Sequence, residues 1–216
     1  MSRARLVCWT ALIAAVSALE YSARFTSTTT KNTRNDVYSY SAFVNGLVFY
    51  GLILGVVLAI AFDRTDLFAL RRPARRAAQL AAVVLVATYL WELVVVLLPI
   101  RDPGNEQGLT PTHWEPSHAG AFAVNLMLFC VIAPVVEELT FRGVGQSLLR
   151  FTGRWPSILL VGVAFGLWHG LVQALLILIP FGIGLAYLRD RTRSVIPGMV
   201  VHALFNGAAL AVAVLS

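Results

Sequence analysis

The sequence predicts an all-α, polytopic helical membrane protein. About seven transmembrane spans form a single integral membrane domain, residues 1–216, around a polar intramembrane cavity. Three observations lead there. Of 216 residues, 58% are hydrophobic and only 13% are charged, whereas a soluble domain is about 45–50% apolar and about 25% charged. The mean hydropathy of +0.75 exceeds what a compact domain with an obligatory polar surface accommodates. The few charges are also gathered into short segments between long uncharged runs. Disorder and nucleic-acid binding are excluded together, since both require a well-solvated chain.

The spans follow in order. Runs without Asp, Glu, Lys or Arg cover Leu6–Leu19, Val37–Phe62, Ala119–Val136, Trp155–Leu188 and Ser194–Ser216, and Ala77–Ile100 is interrupted only by Glu92. About 20 apolar residues suffice to cross roughly 30 Å of hydrocarbon. The Trp155–Leu188 run has 34 residues, about 51 Å of helix, which is too long for one crossing. Gly170 and Pro180 offer places to break it, so it reads as a hairpin of two spans. Arg3 and Arg5 ahead of a short apolar stretch resemble a secretory leader. A first span reaching about Ala23 and retained as an anchor accounts for the same residues and is preferred.

Orientation comes from the basic residues. The net charge of +6 is carried almost wholly by arginine. Seven alternating spans from a cytoplasmic N-terminus gather Arg3, Arg5, Arg64, Arg71, Arg72, Arg75, Arg76, Arg142, Arg150, Arg154, Arg189, Arg191 and Arg193 inside. They leave Arg24, Lys31, Arg34 and Arg101 outside. The expected arrangement is a multi-pass protein of a bacterial cytoplasmic membrane, N-terminus in and C-terminus out. The Thr26–Thr30 tract and the Arg101–His118 loop, with Pro103, Gly104, Pro111 and Pro116, have turn composition. His113 and His118 are expected to be solvated there. Cys8 and Cys130 lie within apolar runs and read as small apolar fillers.

Charged and titratable groups within hydrocarbon are costly, and a compact set of them stands out. Glu137, Glu138 and Arg142 occur in E-E-L-T-F-R-G, Phe165 and His169 in F-G-L-W-H, and His202 and Asn206 in H-A-L-F-N. Counted from the nearest inner arginine, Glu137 and Asn206 lie about 20 Å deep, His169 about 22 Å and His202 about 14 Å. Groups on three helices therefore reach comparable depths and can converge. Glu138 and Arg142 are four apart and can pair on one face. Glu137 projects roughly 100° away and stays free. His202 and Asn206, also four apart, face one point.

These residues fit a hydrolytic site. Glu137 would be the general base that activates water, His169 would hold that water, and His202 and Asn206 would donate to the oxyanion. Glu137, His169 and His202 equally form a His₂Glu set able to hold zinc, so metal-free and zinc-dependent chemistry both stand open. No H-E-x-x-H occurs, and no Ser or Cys adjoins a histidine as a triad requires. Glu92 has no assignment.

The series E-E-x-x-x-R, F-x-x-x-H and H-x-x-x-N resembles the CAAX-protease and bacteriocin-processing (Abi) family of intramembrane proteases. Ser194–Pro197 ahead of His202 resembles that family's last motif. The resemblance covers Ala119 to the C-terminus, the motif-bearing part. It implies peptide-bond hydrolysis by an intramembrane endopeptidase, with Glu137, His169, His202 and Asn206 catalytic and Glu138 and Arg142 supporting. On the glutamic reading no cofactor is required; the alternative is Zn. The implied partners are the lipid bilayer and a membrane-anchored or lipid-modified protein or peptide, cut at a leader or a C-terminal tail. A non-catalytic immunity or scaffold protein of the same fold is the other reading, disfavoured by six intact motif residues. A small transporter is disfavoured by the lack of an inverted repeat.

Overall fold

A computed structural model of the protein describes residues 3–26, 33–98 and 114–215. The Thr/Ser tract after Thr26, Lys31, Arg101 and the loop through His113 lie outside the described residues. Among the described residues the chain is helical, with no strand. Its long elements are α1 (Arg3–Thr26), α2 (Tyr40–Ile60), α3 (Ala77–Val96), α4 (Pro116–Thr152), α5 (Arg154–Trp168), α6 (Leu175–Thr192) and α7 (Ile196–Leu215). Short 3₁₀ turns occupy Thr33–Tyr38 and Thr65–Phe68. The helices α1 to α4 are long and apolar enough to cross a membrane, while α5 and the Ile196–Val212 part of α7 are apolar but shorter. This is a multi-pass membrane protein.

Contacts between elements sort the helix ends into two sets. At one end Arg5 pairs with Asp63, the Ser147 hydroxyl donates to the Leu67 carbonyl at 3.0 Å, and Ser194 donates to the Arg71 carbonyl at 2.7 Å. Ser194 also caps α7, its hydroxyl accepting from the Ile196 N–H at 3.2 Å. Arg154 joins Asp190 across the α5–α6 hairpin at 2.7 Å. At the other end the Tyr21 hydroxyl donates to the Leu171 carbonyl at 2.9 Å. There the buried Asn125 amide donates to the carbonyls of Val37, Ser39 and Ala121. Successive helices run antiparallel, and arginines expected inside gather at the first end; Arg142 does not, being buried within α4 beside Glu138.

Three details refine the expected spans. The fourth helix runs past the uncharged stretch that ends at Val136, as the depth of Glu137 counted from Arg150 assumes. Helix α4 continues to Thr152 through two wide turns, Leu128–Ile132 and Leu139–Gly145, in π conformation, the kind of irregularity often found at functional sites. The α5–α6 break falls at Gly170 but not at Pro180, which lies inside α6. Gly170 has φ +64° and its α-carbon abuts Glu20, so a side chain there would meet both a left-handed backbone and a neighbouring helix. Pro180 brings no N–H to the Leu176 carbonyl, and the Trp91 indole N–H supplies the missing donor at 2.6 Å. Finally, α5 has only 15 residues, about 22 Å, so His169 caps a helix that ends within the bilayer.

The core is a continuous aromatic and aliphatic cluster. Phe141, Phe165, Trp168 and Phe181 stack edge to face within it, an arrangement that aromatic quadrupoles favour. Helices α5 and α6 approach closely where Gly162 faces Gly182; a β-carbon on Gly182 would lie 2.8 Å from the Gly162 carbonyl. The first helix is built into this core through Trp9, Ile13 and Val16. Cys8 and Cys130 are free thiols, exposed and half-buried respectively.

Candidate active site

The six singled-out residues meet around the middle of α4. Glu138 and Arg142 form a fully buried pair, Arg142 Nη1 donating to Glu138 Oε1 at 2.7 Å. Arg142 also donates through Nη2 to the Gly182 carbonyl at 3.0 Å. Its guanidinium carbon lies 4.2 Å from the centre of the Phe165 ring, a cation–π contact strengthened by desolvation. The far oxygen of Glu138 rests on the first turn of α7, where a β-carbon at Gly198 would approach it to 2.5 Å. The positive end of α7 therefore faces this carboxylate.

Glu137 turns the other way. Its Oε1 accepts from the Tyr50 hydroxyl of α2 at 2.8 Å. Its Oε2 is buried and has no hydrogen-bond partner among the described residues. That oxygen lies 3.8 Å from His169 Nε2 and 3.8 Å from His202 Nε2. A cavity of about 210 Å³ opens here, with Tyr50, Glu137, His169, His202 and Asn206 as its polar lining and Phe165, Phe181 and Phe205 among its apolar walls.

The hydrogen bonds behind the two imidazoles fix their tautomers. His169 Nδ1 is 2.8 Å from the Phe165 carbonyl, which can only accept, so Nδ1 carries the proton. His202 Nδ1 is 3.3 Å from Glu138 Oε1, again an acceptor. In the neutral rings both Nε2 atoms are then unprotonated. Three acceptors face one small space with no donor between them, and a water molecule with two O–H bonds meets that need.

These three atoms are also the donor atoms of the His₂Glu set, each imidazole nitrogen 3.8 Å from the carboxylate oxygen. Among the described residues, no group of three or more His, Cys, Asp or Glu side chains is arranged to hold a metal ion.

Asn206 lines the cavity, but one of its amide hydrogens goes to the Phe129 carbonyl at 2.9 Å. That carbonyl belongs to the first wide turn of α4, and Nδ2 keeps a second hydrogen. Glu92 is half-buried on α3 and does not line the cavity. His118 is exposed and 3.0 Å from Glu115. Tyr50 is the site residue that motif spacing missed. Its one signal in the sequence is a phenol in the middle of an otherwise apolar run, a polar tip that needs a partner in hydrocarbon. Phe165 also has a function beyond its place in a motif, since its ring carries Arg142 and its carbonyl orients His169.

An all-helical membrane protein thus gathers a carboxylate, two imidazoles and an amide at one buried cavity. The comparison with protein families agrees at a finer level. Residues 119–208 match the model of the Rce1-like family, the type II CAAX prenyl endopeptidases. The matched segment spans all six motif residues, and that family is one of peptidases. No curated protein and no solved structure matches the chain.

Proposed function

We propose that the protein is an intramembrane endopeptidase in which Glu137 activates water against a peptide bond of a membrane-anchored or lipid-modified substrate. The observation that carries this reading is the unpartnered Glu137 Oε2, set 3.8 Å from two imidazole nitrogens at the edge of the cavity. Water held between Oε2 and His169 Nε2 loses a proton to Oε2 as its oxygen bonds to the scissile carbonyl carbon. The carbonyl electron pair moves onto oxygen. As the tetrahedral intermediate collapses, the C–N bond breaks and the proton on Glu137 passes to the departing nitrogen. The oxyanion is met by the second amide hydrogen of Asn206. His202 can donate from Nε2 only when its ring is doubly protonated, so Asn206 is the donor in either state.

Glu138 and Arg142 support the site by holding His202 and the cavity wall formed by Phe165. No metal enters this scheme. The substrate is a peptide leader or a C-terminal membrane-sorting tail, and the arginine-rich end faces the cytoplasm of a bacterial cell. The test is cleavage of a membrane-anchored reporter peptide by purified Glu137→Gln protein. Cleavage should fall by at least about 10²-fold, the scale of a lost general base, with an unchanged thermal unfolding midpoint. Full activity in that variant would overturn the reading. Activity lost to a chelator and restored by zinc would replace the carboxylate mechanism with metal-bound water.

A further inference from the structure

A second pocket lies at the arginine-rich end, remote from the catalytic cavity and built from the junction of α4, α5 and α6. It measures about 150 Å³ and is lined by Gln146, Arg150, Gly153, Arg154, Ser157, Arg189 and Asp190. Asp190 is its one carboxylate, and Arg154 Nε already engages it at 2.7 Å. Among the described residues, neither Arg150 nor Arg189 has a carboxylate oxygen within 4.0 Å, and Asp190 acts on Arg189 only at longer range. Arg189 is only 4% exposed, donates from Nη2 to the Ser147 hydroxyl at 2.6 Å, and keeps a buried Nε without a partner. A buried guanidinium with no directly paired counter-charge is costly. Gln146 is 1% exposed; its amide donates to the Ala186 carbonyl while its Oε1 accepts nothing among the described residues.

The surroundings give the depth of this pocket. Arg154 lies over both rings of the stacked Trp155–Tyr187 pair, at 5.3 and 5.8 Å. Trp155 is 55% exposed and neighbouring Phe151 63%. Exposed amphipathic rings at the end of a span mark the headgroup level of a bilayer. The N-terminus of α5 also opens here, on Gly153, with no side-chain cap, and so adds free N–H groups and positive potential.

We propose that this pocket binds the headgroup of an anionic phospholipid. The guanidinium groups of Arg150 and Arg189 hold the phosphodiester, and a headgroup hydroxyl donates to Gln146 Oε1. A phosphate group supplies the missing counter-charge, planar guanidinium groups match its oxygens, and the volume leaves room for a hydroxyl-bearing substituent. Phosphatidylglycerol has this chemistry and phosphatidylcholine does not, because its terminal group is a cation without a donor. A soluble phosphate ester shares the phosphate and is the competing source.

The test uses full-length protein in delipidated detergent micelles. It is titrated with short-chain phosphatidylglycerol, with phosphatidylcholine of the same chain length, and with inorganic phosphate, and bound species are counted by native mass spectrometry. The expected result is saturable phosphatidylglycerol binding at least about 10-fold tighter than phosphatidylcholine, the size of one charge-assisted hydrogen bond. Arg189→Gln and Arg150→Gln should each lower that affinity about 10-fold. Arg189 is buried and bonded to Ser147, so Arg189→Gln can also disturb folding. Arg150 is exposed and bonded to no described side chain, which makes Arg150→Gln the deciding variant. Equal binding of the two lipids, or unchanged binding by Arg150→Gln, would overturn the proposal. Inorganic phosphate binding as tightly as phosphatidylglycerol would overturn the lipid source in favour of a soluble anion.

Discussion

Helices α1 to α3 and the segment from α4 onward divide the work unequally. The first three are almost uniformly apolar, with only 17% of each spanning window buried in the protein, against 33% for α4. They turn most of their surface to lipid. The second part carries the buried charges, the two wide turns of α4, the Gly170 break and the proline within α6. Each of the first three helices nevertheless sends a polar aromatic tip into the second part, and α1 sends two, Tyr21 reaching the Leu171 carbonyl. Trp9 of α1 donates to the Thr140 carbonyl at 2.9 Å, inside the second wide turn. Tyr50 of α2 donates to Glu137, and Trp91 of α3 donates to the carbonyl freed by Pro180. Irregular backbone within a membrane persists only where neighbouring groups satisfy it. The scaffold helices supply those groups, and the irregular helices can therefore shape a site.

The comparison breaks most severely if the second part loses its own internal pairing. Arg142→Ala leaves Glu138 buried without its cation, a change expected to cost about 3–5 kcal/mol. The yield of folded protein and its unfolding midpoint in detergent are the measurements. Glu138→Gln combined with Arg142→Met removes both charges and should recover part of the lost stability without recovering cleavage. A double variant no better folded than Arg142→Ala would show that the two charges are not coupled.

Next in size is the tie from α1. Trp9 is 4% exposed, so Trp9→Phe keeps most of the packing while removing the indole bond to a buried carbonyl, at a cost of about 0.5–1.5 kcal/mol. The tie from α2 reports on chemistry instead. Tyr50→Phe should leave stability within about 1 kcal/mol and lower kcat about 10-fold, because Glu137 loses the bond that orients it. KM should stay unchanged, since the phenol is proposed to position the base rather than bind substrate. An unchanged kcat would remove Tyr50 from the site.

These ties mark the limit of what could be read in the sequence. The all-helical architecture was legible because membrane helices are written as long apolar runs, and Gly170 was a sound break. The convergence of Glu137, His169, His202 and Asn206 was legible because titratable groups in hydrocarbon are rare enough to be tracked by depth. The i, i+4 spacing of Glu138 and Arg142 placed them within reach of each other. Pro180 misled, because a proline breaks a helix in water but is tolerated in a membrane once a neighbour supplies a donor. The hydrogen bond from Asn206 to the Phe129 carbonyl was hidden as well, since that carbonyl lies in a wide turn that no residue pattern announces. Trp9, Tyr50 and Trp91 were invisible for a related reason. An aromatic residue in an apolar run looks like a lipid anchor until the backbone it completes is known.

The smallest effect is also the most discriminating. Trp91 is 41% exposed, and its indole bond serves a carbonyl near the start of α6. Hydrogen bonds between membrane helices average only about 0.6 kcal/mol, so Trp91→Phe should lower stability by about that much. The bond takes the place of the N–H that Pro180 lacks. Pro180→Ala restores a backbone donor to the Leu176 carbonyl, so in that background Trp91→Phe should cost close to nothing. A double-mutant cycle on the unfolding midpoint measures the coupling. If Trp91→Phe costs the same with Pro180 or Ala at that position, the indole is only a wedge between α3 and α6. If the cost vanishes with alanine, the scaffold helix is there to complete its neighbour's backbone.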